Sequence, residues 1–120
     1  MIVGIVGSRT KPGTTVDERC RAIVYHAMKM LDPKDIIMSG GCKTGADHWA
    51  RFWAEELCFQ YIEAPPNPKI KFSHAAARRN RTIVRVSDMV LAVWNGISSG
   101  TKIVIDSANY NEVPLWVTKL

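Results

Sequence analysis

Three glycine-bearing turns contain most of the residues in this chain whose types suit the binding of an anion. Residues 7–9 follow an opening apolar run, and residues 39–47 and 94–101 each separate an apolar run from a helix-like segment. Glycine lets backbone N–H groups approach a ligand closely, and a helix N-terminus adds partial positive charge. The pattern therefore predicts a pocket for phosphate or another anion. Its candidate residues in the turns are Gly7, Ser8, Arg9, Ser39, Gly40, Gly41, Gly45, Asp47, Gly96, Ser98, Ser99, Gly100 and Thr101.

The positive charge of the chain is concentrated in one segment. The net charge is +5, and residues 64–87 contain basic side chains without any acidic one. These basic residues are Lys69, Lys71, Arg78, Arg79, Arg81 and Arg85. Such a field attracts nucleic acid or a phosphorylated small molecule, although a solvated helix face gives the same pattern.

Composition excludes several other classes of protein. At 120 residues and 47% hydrophobic content, we expect one domain covering residues 1–120. The apolar runs are far shorter than the ~20 residues that span a bilayer, so no membrane partner is expected. Residues 1–6 are typical of a core strand rather than a signal peptide. Three cysteines without a Cys-x-x-Cys pair indicate reduced thiols in the cytoplasm, and the scattered histidines suggest no metal site.

Strand and helix patterns alternate along the chain. Strands are predicted at 1–6, 35–38, 59–63, 89–94 and 114–118. Helices are predicted at 16–31, 46–57, 73–86 and from 100 or 101 to 110. Short connections in this order predict a Rossmann-like three-layer α/β/α sandwich, with a mostly parallel sheet of about five strands in the order 3-2-1-4-5. All three glycine-bearing turns would then converge at the carboxyl edge of the sheet.

Two helix starts have sequence signals. Thr15 and Glu18 have the spacing of a capping box, which predicts the start of the first helix. Ser73 is expected to cap the third.

The third helix carries the candidates Arg79 and Asn80. Its projection places Asn80 toward the sheet, where an unpaired amide would cost about 1–3 kcal/mol. Arg79 lies on the flank, from which its planar fork could hold a phosphate. Alternatively, Asn80 ties down a neighbouring loop and Arg79 pairs with a carboxylate. Three further arginines are expected to face solvent: Arg78, Arg81 and Arg85.

Asp47 and Cys42 lie close to the predicted start of the second helix. Asp47 could accept hydrogen bonds from a ribose, or it could only stabilise the helix start. The helix start could lower the pKa of the Cys42 thiol, but no histidine base adjoins it and a nucleophilic role is disfavoured. The serines and threonine of residues 98–101 could likewise bind phosphate or simply cap the last helix.

In these features the chain resembles the SLOG superfamily, which includes DNA-processing protein A, the LOG "lysine decarboxylase-like" phosphoribohydrolases and small YspA/YpsA-type domains. The matching pieces span nearly the whole chain: Gly7-Ser8-Arg9, Ser39-Gly40-Gly41 with Gly45-Ala46-Asp47, Arg79-Asn80, Ser87-Asp88, and Gly96 through Gly100-Thr101. The resemblance implies a Rossmann-like nucleotide-binding domain over residues 1–120. It also implies nucleotide-derived ligands, usually no metal, and a homodimer. We expect no bound cofactor.

One departure concerns catalysis. Phosphoribohydrolases of the LOG type use an arginine and a glutamate in catalysis. By the resemblance, Arg79 matches the arginine, while Val104 occupies the glutamate position. An aliphatic side chain cannot transfer a proton. Asp106 lies about 200° around the helix from Val104 and is a poor substitute.

Three functions remain open from the sequence. The first is the binding of a nucleotide-derived ligand by a sensor or accessory module. The second is an N-ribosyl hydrolase or transferase, with Arg79 and Asp47 as the candidate catalytic residues. The third is binding of single-stranded nucleic acid by the basic segment, for which affinity would fall steeply with salt.

Overall fold

β1 (Ile2–Gly7) lies at the centre of a parallel sheet that the chain builds outward in both directions. The computed structural model describes residues 1–64, 68–69 and 71–120. Within them the sheet has five strands in the order β3-β2-β1-β4-β5, with β2 (Ile36–Ser39), β3 (Gln60–Glu63), β4 (Met89–Trp94) and β5 (Leu115–Lys119). The predicted fold class and strand order are confirmed.

Within the described residues, four helices connect the strands and cover both faces of the sheet. They are α1 (Thr15–Lys29), α2 (Ala46–Glu56), α3 (Phe72–Val86) and α4 (Ser99–Tyr110). The chain moves from β1 toward β2 and β3, then crosses back to β4 and β5. The topological switch point therefore lies between β1 and β4, where a crevice opens at the carboxyl ends of the strands. The parallel register there pairs Ile5 with Leu91 and Gly7 with Val93.

The core forms two apolar layers, one on each face of the central strands. On one face, Val3 and Ile5 pack with Val24 and Met28 of α1 and with the alanines of α2. On the other face, Val90 and Ala92 pack with side chains of α3 and α4, including Ile83, Val84, Val104 and Ala108. Strands buried on both sides are continuous apolar runs, which explains why β1 and β4 were readable from sequence.

Both predicted helix caps are wrong. Thr14, rather than Thr15, is the N-cap of α1, and its hydroxyl accepts a hydrogen bond from the backbone N–H of Asp17 at 3.2 Å. Thr14 has an extended backbone, as an N-cap residue requires, whereas Thr15 is already helical. Helix α3 begins at Phe72 with Lys71 as its N-cap residue, so Ser73 lies inside the helix.

In the described part of the chain, none of the helices combines the length and the apolar character needed to cross a membrane.

Candidate functional site

A cleft of about 390 Å³ opens at the switch point, between α3 and the N-terminus of α4. Many of the residues predicted from sequence line it: Gly7, Arg9, Asp47, Arg79, Asn80, Ser98, Ser99, Gly100 and Thr101. Further lining residues were not among the candidates: Val6, Cys42, Ala76, Asn95 and Val104. Elements that are distant in sequence thus contribute to one concave surface. Val6, Ala76 and Val104 give it an apolar part, which no chemical motif in the sequence indicates.

The remaining candidates do not line the cleft. These are Ser8, Ser39, Gly40, Gly41, Gly45 and Gly96. Ser8 is buried, and its hydroxyl accepts a hydrogen bond from the backbone N–H of Asn95 at 3.0 Å. That bond joins the turn after β1 to the turn after β4. Ser39 is also buried, and its hydroxyl is bonded to the hydroxyl of Tyr61 on β3.

Two glycines after β2 accommodate side chains of the protein itself. A Cβ atom on Gly40 would lie 2.8 Å from Cζ of Arg79, and one on Gly41 would lie 2.6 Å from Cδ of Glu63. Gly41 also has a φ of 77°, in the left-handed region that favours glycine. Gly100 differs, because a Cβ there would meet only Nδ2 of Asn80, at an ordinary 3.5 Å. Among these three, Gly100 is the glycine with open space beside the cleft.

Arg79 is held in one orientation by two hydrogen bonds. Its Nε donates to Oδ1 of Asn80 at 2.8 Å, and its Nη1 donates to the carbonyl oxygen of Gly40 at 2.6 Å. Among the residues that the structure describes, its hydrogen-bond partners are these neutral oxygens and no carboxylate. A guanidinium has five N–H groups, so donors remain for a ligand after these two bonds. Arg79 is therefore pre-oriented, and the alternative of a carboxylate pair is not what the structure shows.

Asn80 connects α3 to the start of α4. Its Nδ2 donates to the carbonyl oxygen of Gly100 at 3.2 Å while its Oδ1 accepts from Arg79. The expectation that Asn80 points inward is confirmed, since it is only 8% exposed. The element that it holds is the first turn of α4 and not a neighbouring loop. Because the same side chain also orients Arg79, the position of the guanidinium and the position of the α4 N-terminus are coupled.

The turn before α4 is stabilised by its own side chains. Oδ1 of Asn95 accepts hydrogen bonds from the backbone N–H groups of Ile97 and Ser98, both at 2.9 Å. The indole N–H of Trp94 donates to the carbonyl oxygen of Ser98 at 3.0 Å. Ser98 is the N-cap residue, but in the described chain its hydroxyl bonds to the hydroxyl of Thr101 and to no N–H of the helix. The first N–H groups of α4 are thus free of a side-chain cap at the edge of the cleft.

Asp47 is the carboxylate of the cleft, the single one among the described residues that line it. Burial raises the pKa of Asp47, although a hydrogen bond from the backbone N–H of Cys42 at 3.1 Å and the charge of Arg79 oppose that shift. Burial and the neighbouring Asp47 also raise the pKa of the Cys42 thiol. The expectation of a lowered thiol pKa is therefore wrong, because desolvation and the carboxylate outweigh the charges of Arg79 and Arg9.

The second acidic candidate, Asp106, lies outside the cleft. It is exposed on α4 and forms an ion pair with Lys102 at 2.9 Å. Val104, at the position discussed for a glutamate, is buried and lines the cleft. The apolar side chain thus lines the cleft, and the acidic one faces solvent.

Arg78, Arg81 and Arg85 are exposed, as their helical positions predict. Arg81 and Arg85 border a separate groove between α3 and α4, together with Tyr110 and Asp106. Of the arginines in the basic segment, Arg79 therefore lines the cleft, and the other three are exposed outside it.

Solved structures with the same Rossmann-like fold align with nearly the whole chain. The Moco carrier protein of Chlamydomonas reinhardtii is 19% identical, with 99% of this chain and 76% of that chain covered and a TM-score of 0.74. The molybdenum cofactor binding protein of Rippkaea orientalis is 20% identical over 99% of this chain and 76% of that one, with a TM-score of 0.75.

A third similar structure is DNA processing protein A from Helicobacter pylori, described with its single-stranded DNA binding mode. It is 20% identical, with 98% of this chain and 64% of that chain covered and a TM-score of 0.71. No family model and no curated protein matches the sequence. At these identities the likeness establishes the shared fold.

Proposed function

We propose that the cleft binds a nucleotide or a nucleotide-derived, phosphate-bearing small molecule, and that the protein is a cytoplasmic sensor or accessory module. The observation that carries this proposal is the convergence of two guanidinium groups, Arg9 and Arg79, with the N-terminus of α4 around one cleft. A helix N-terminus and an arginine guanidinium both bind phosphate. When both already point into the same cleft, they can bind one phosphate together.

The parts of the cleft suit different parts of such a ligand. The first turn of α4, including Ser99 and Gly100, would take the phosphate together with Arg79. Asp47 would accept a hydrogen bond from a sugar hydroxyl. The apolar part formed by Val6 and Val104 would pack against an uncharged ring. A cleft of about 390 Å³ is in the ordinary size range of small-molecule sites.

Proteins with this fold include molybdenum cofactor carriers and a single-stranded DNA binding protein. The fold is thus compatible with either kind of ligand. The position of Arg79 in the cleft favours the small molecule here, since the exposed arginines on which an extended strand would depend, Arg78, Arg81 and Arg85, lie outside the cleft.

Thermal unfolding in the presence of candidate ligands tests the proposal. The panel contains nucleoside mono- and diphosphates, ADP-ribose and a single-stranded oligonucleotide, each titrated to millimolar concentration. A ligand of the native state raises the apparent stability by RT ln(1 + [L]/Kd), which is about 2.7 kcal/mol at 100 times Kd. Saturable stabilisation by a nucleotide is expected. A panel in which only the oligonucleotide stabilises the protein, or in which nothing does, contradicts the proposal.

Neighbouring arginines on α3 provide a matched pair of variants. Arg79→Ala should abolish the stabilisation by the responding nucleotide because it removes the pre-oriented donor. Arg78→Ala removes the same charge from the neighbouring residue, which is exposed, and should leave the stabilisation by the nucleotide intact. Equal stabilisation of the two variants by the nucleotide would show that Arg79 does not bind the ligand.

A second candidate function is cleavage or transfer at an N-glycosidic bond, and the carboxyl group of Asp47 in the cleft favours it. Burial raises the pKa of Asp47, which makes a protonated acid easier to maintain. Incubation with nucleoside monophosphates, followed by chromatography for free base, tests this function. Activity that is lost in Asp47→Asn with the fold intact would support it, and no release of base excludes it for the substrates used.

We propose in addition that the protein acts as a homodimer.

A further inference from the structure

β5 is an edge strand with an unusually apolar exposed surface. Its sequence is Leu-Trp-Val-Thr-Lys, and Trp116 and Val117 are 54% and 43% exposed. In the described chain no strand lies beyond it in the sheet. Edge strands expose unpaired backbone groups, and proteins usually protect them with charges, prolines or bulges. β5 carries one charge, Lys119, at its end.

The backbone bonds to β4 show which groups of β5 point outward. The carbonyl oxygen of Pro114 accepts from the N–H of Val90, and the N–H of Leu120 donates to the carbonyl oxygen of Trp94. Hydrogen-bonding directions alternate along a strand, so residues at even positions bond to β4. The N–H and C=O groups of Leu115, Val117 and Lys119 therefore face away from the sheet.

We infer that a second copy of this chain pairs with β5 in antiparallel orientation, about a twofold axis at Val117, and extends the sheet across the dimer. This axis places Val117 opposite the partner's Val117, and Leu115 opposite the partner's Lys119. Each opposed pair exchanges two hydrogen bonds, so all the outward groups of the three residues are used. An axis at Trp116 would leave the groups of Lys119 unpaired.

The same axis also covers the exposed apolar side chains. Trp116 would lie opposite the partner's Thr118 and diagonal to the partner's Trp116, about 7–8 Å away and within reach of an aromatic ring. On the other face, Val117 would contact the partner's Val117. The two Lys119 residues would lie about 13 Å apart along the strands, so no like charges are brought together. One register therefore satisfies the backbone, the apolar contacts and the charges.

An apolar cavity of about 250 Å³ adjoins the proposed contact. Trp116 lines it together with Met1 and Met30, which are 56% and 73% exposed. The neighbouring Leu91 of β4 forms part of its floor. Pairing of two β5 strands would set the partner's Trp116 beside this cavity, so the exposed methionines would be partly covered in the dimer.

The helices leave room for this arrangement. α4 packs against β1, β4 and β5, so its axis lies near β4. The distance from β4 to the partner's β4 would be three strand spacings, about 14 Å. Packed helices need about 8–10 Å between their axes, so the two α4 helices fit side by side.

The oligomeric state in solution tests the inference. Sedimentation equilibrium of the full chain is expected to show a dimer, and Trp116→Lys should raise its dissociation constant at least tenfold. Ile62→Lys is the matched control, because Ile62 is a 38% exposed apolar residue on β3 at the opposite edge of the sheet. A monomeric wild type, or equal weakening by the two substitutions, overturns the inference.

Cross-linking tests the axis itself. In a Cys42→Ser, Cys58→Ser background, Val117→Cys should form a disulfide-linked dimer under mild oxidation, since opposed Cα atoms lie about 5.5 Å apart. Lys119→Cys should not, because its partner atom is about 13 Å away. A dimer that cross-links through position 119 and not through 117 has its axis elsewhere, and the inference then fails. Neither measurement depends on the ligand proposed for the cleft, so thermal shifts on the same variants separate the two proposals.

Discussion

Arg79 and Gly40 form a pair in which a glycine on one element makes room for a guanidinium on another. Nη1 of Arg79 donates to the carbonyl oxygen of Gly40 at 2.6 Å, and a Cβ on Gly40 would lie 2.8 Å from Cζ of Arg79. Any larger residue at position 40 would displace the guanidinium. The turn after β2 therefore acts on the proposed anion site through Arg79, and Gly40 itself does not line the cleft.

Gly40→Ala should weaken ligand binding more than it weakens the fold. The added methyl group meets the end of a flexible side chain, so Arg79 can move aside at the cost of one hydrogen bond from a charged group, about 1.5–3 kcal/mol. Urea unfolding measures that loss, and the thermal shift with the responding nucleotide measures binding. Gly7→Ala is the structural comparison, since its methyl group would meet the backbone oxygen of Val93, which cannot move aside. An undiminished nucleotide response in Gly40→Ala would show that the orientation of Arg79 is irrelevant.

Asn80→Ala should destabilise the protein and disorder both of its partners. The substitution leaves Nε of Arg79 and the carbonyl oxygen of Gly100 without their bonds, and an unsatisfied buried group costs about 1–3 kcal/mol. Denaturant unfolding measures the loss. Asn80→Asp separates the two bonds, because a carboxylate accepts from Arg79 but cannot donate to Gly100. If the alanine variant is as stable as the wild type, the coupling between α3 and α4 lies elsewhere.

Asp47→Asn should become more stabilising as the pH rises. Burial raises the pKa of Asp47 above its ordinary 3.8, so the folded state binds this proton more strongly than the unfolded state. The stabilisation that this bound proton gives the wild-type protein is complete below about pH 3.8 and is lost as the pH rises through the pKa of Asp47 in the folded state. The amide still accepts from Cys42 and never ionises. Urea midpoints of the two proteins between pH 4 and pH 8 should therefore diverge in favour of the variant, and a constant difference would contradict this.

Asp17→Asn should show the opposite dependence. Burial alone would raise the pKa of Asp17, but hydrogen bonds from Thr10 at 2.6 Å and from the indole of Trp49 at 3.0 Å outweigh it and lower the pKa. The ionised carboxylate therefore contributes stability above about pH 3.8 that is lost as the pH falls through the folded pKa. The variant should lose more stability at pH 7 than at about pH 2, below the lowered pKa, in urea titrations extended to acid. A loss that is equal at both pH values would rule out the ionic contribution.

Periodicity and turn chemistry in the sequence determined the fold to within one or two residues at most element ends. β4 is predicted and observed over the same residues, because a strand covered on both faces is an uninterrupted apolar run. The N-cap of α1 is not determined by the sequence because Thr14 and Thr15 are chemically alike. Their roles differ only in backbone conformation, which depends on how the chain leaves β1.

Residue types and spacing also predict that four residues lie at one edge of the sheet: Arg9, Asp47, Arg79 and Gly100. In the structure these residues line one cleft. Only the tertiary structure decided what each glycine faces. A missing side chain makes space without specifying its occupant, so Gly40 receives Arg79 while Gly100 stays open to the cleft. The same holds for charge: desolvation and neighbouring groups raise the pKa of Cys42, although its position near a helix start suggests the reverse. Local pattern specifies which elements form, and packing between distant elements specifies what surrounds each functional group.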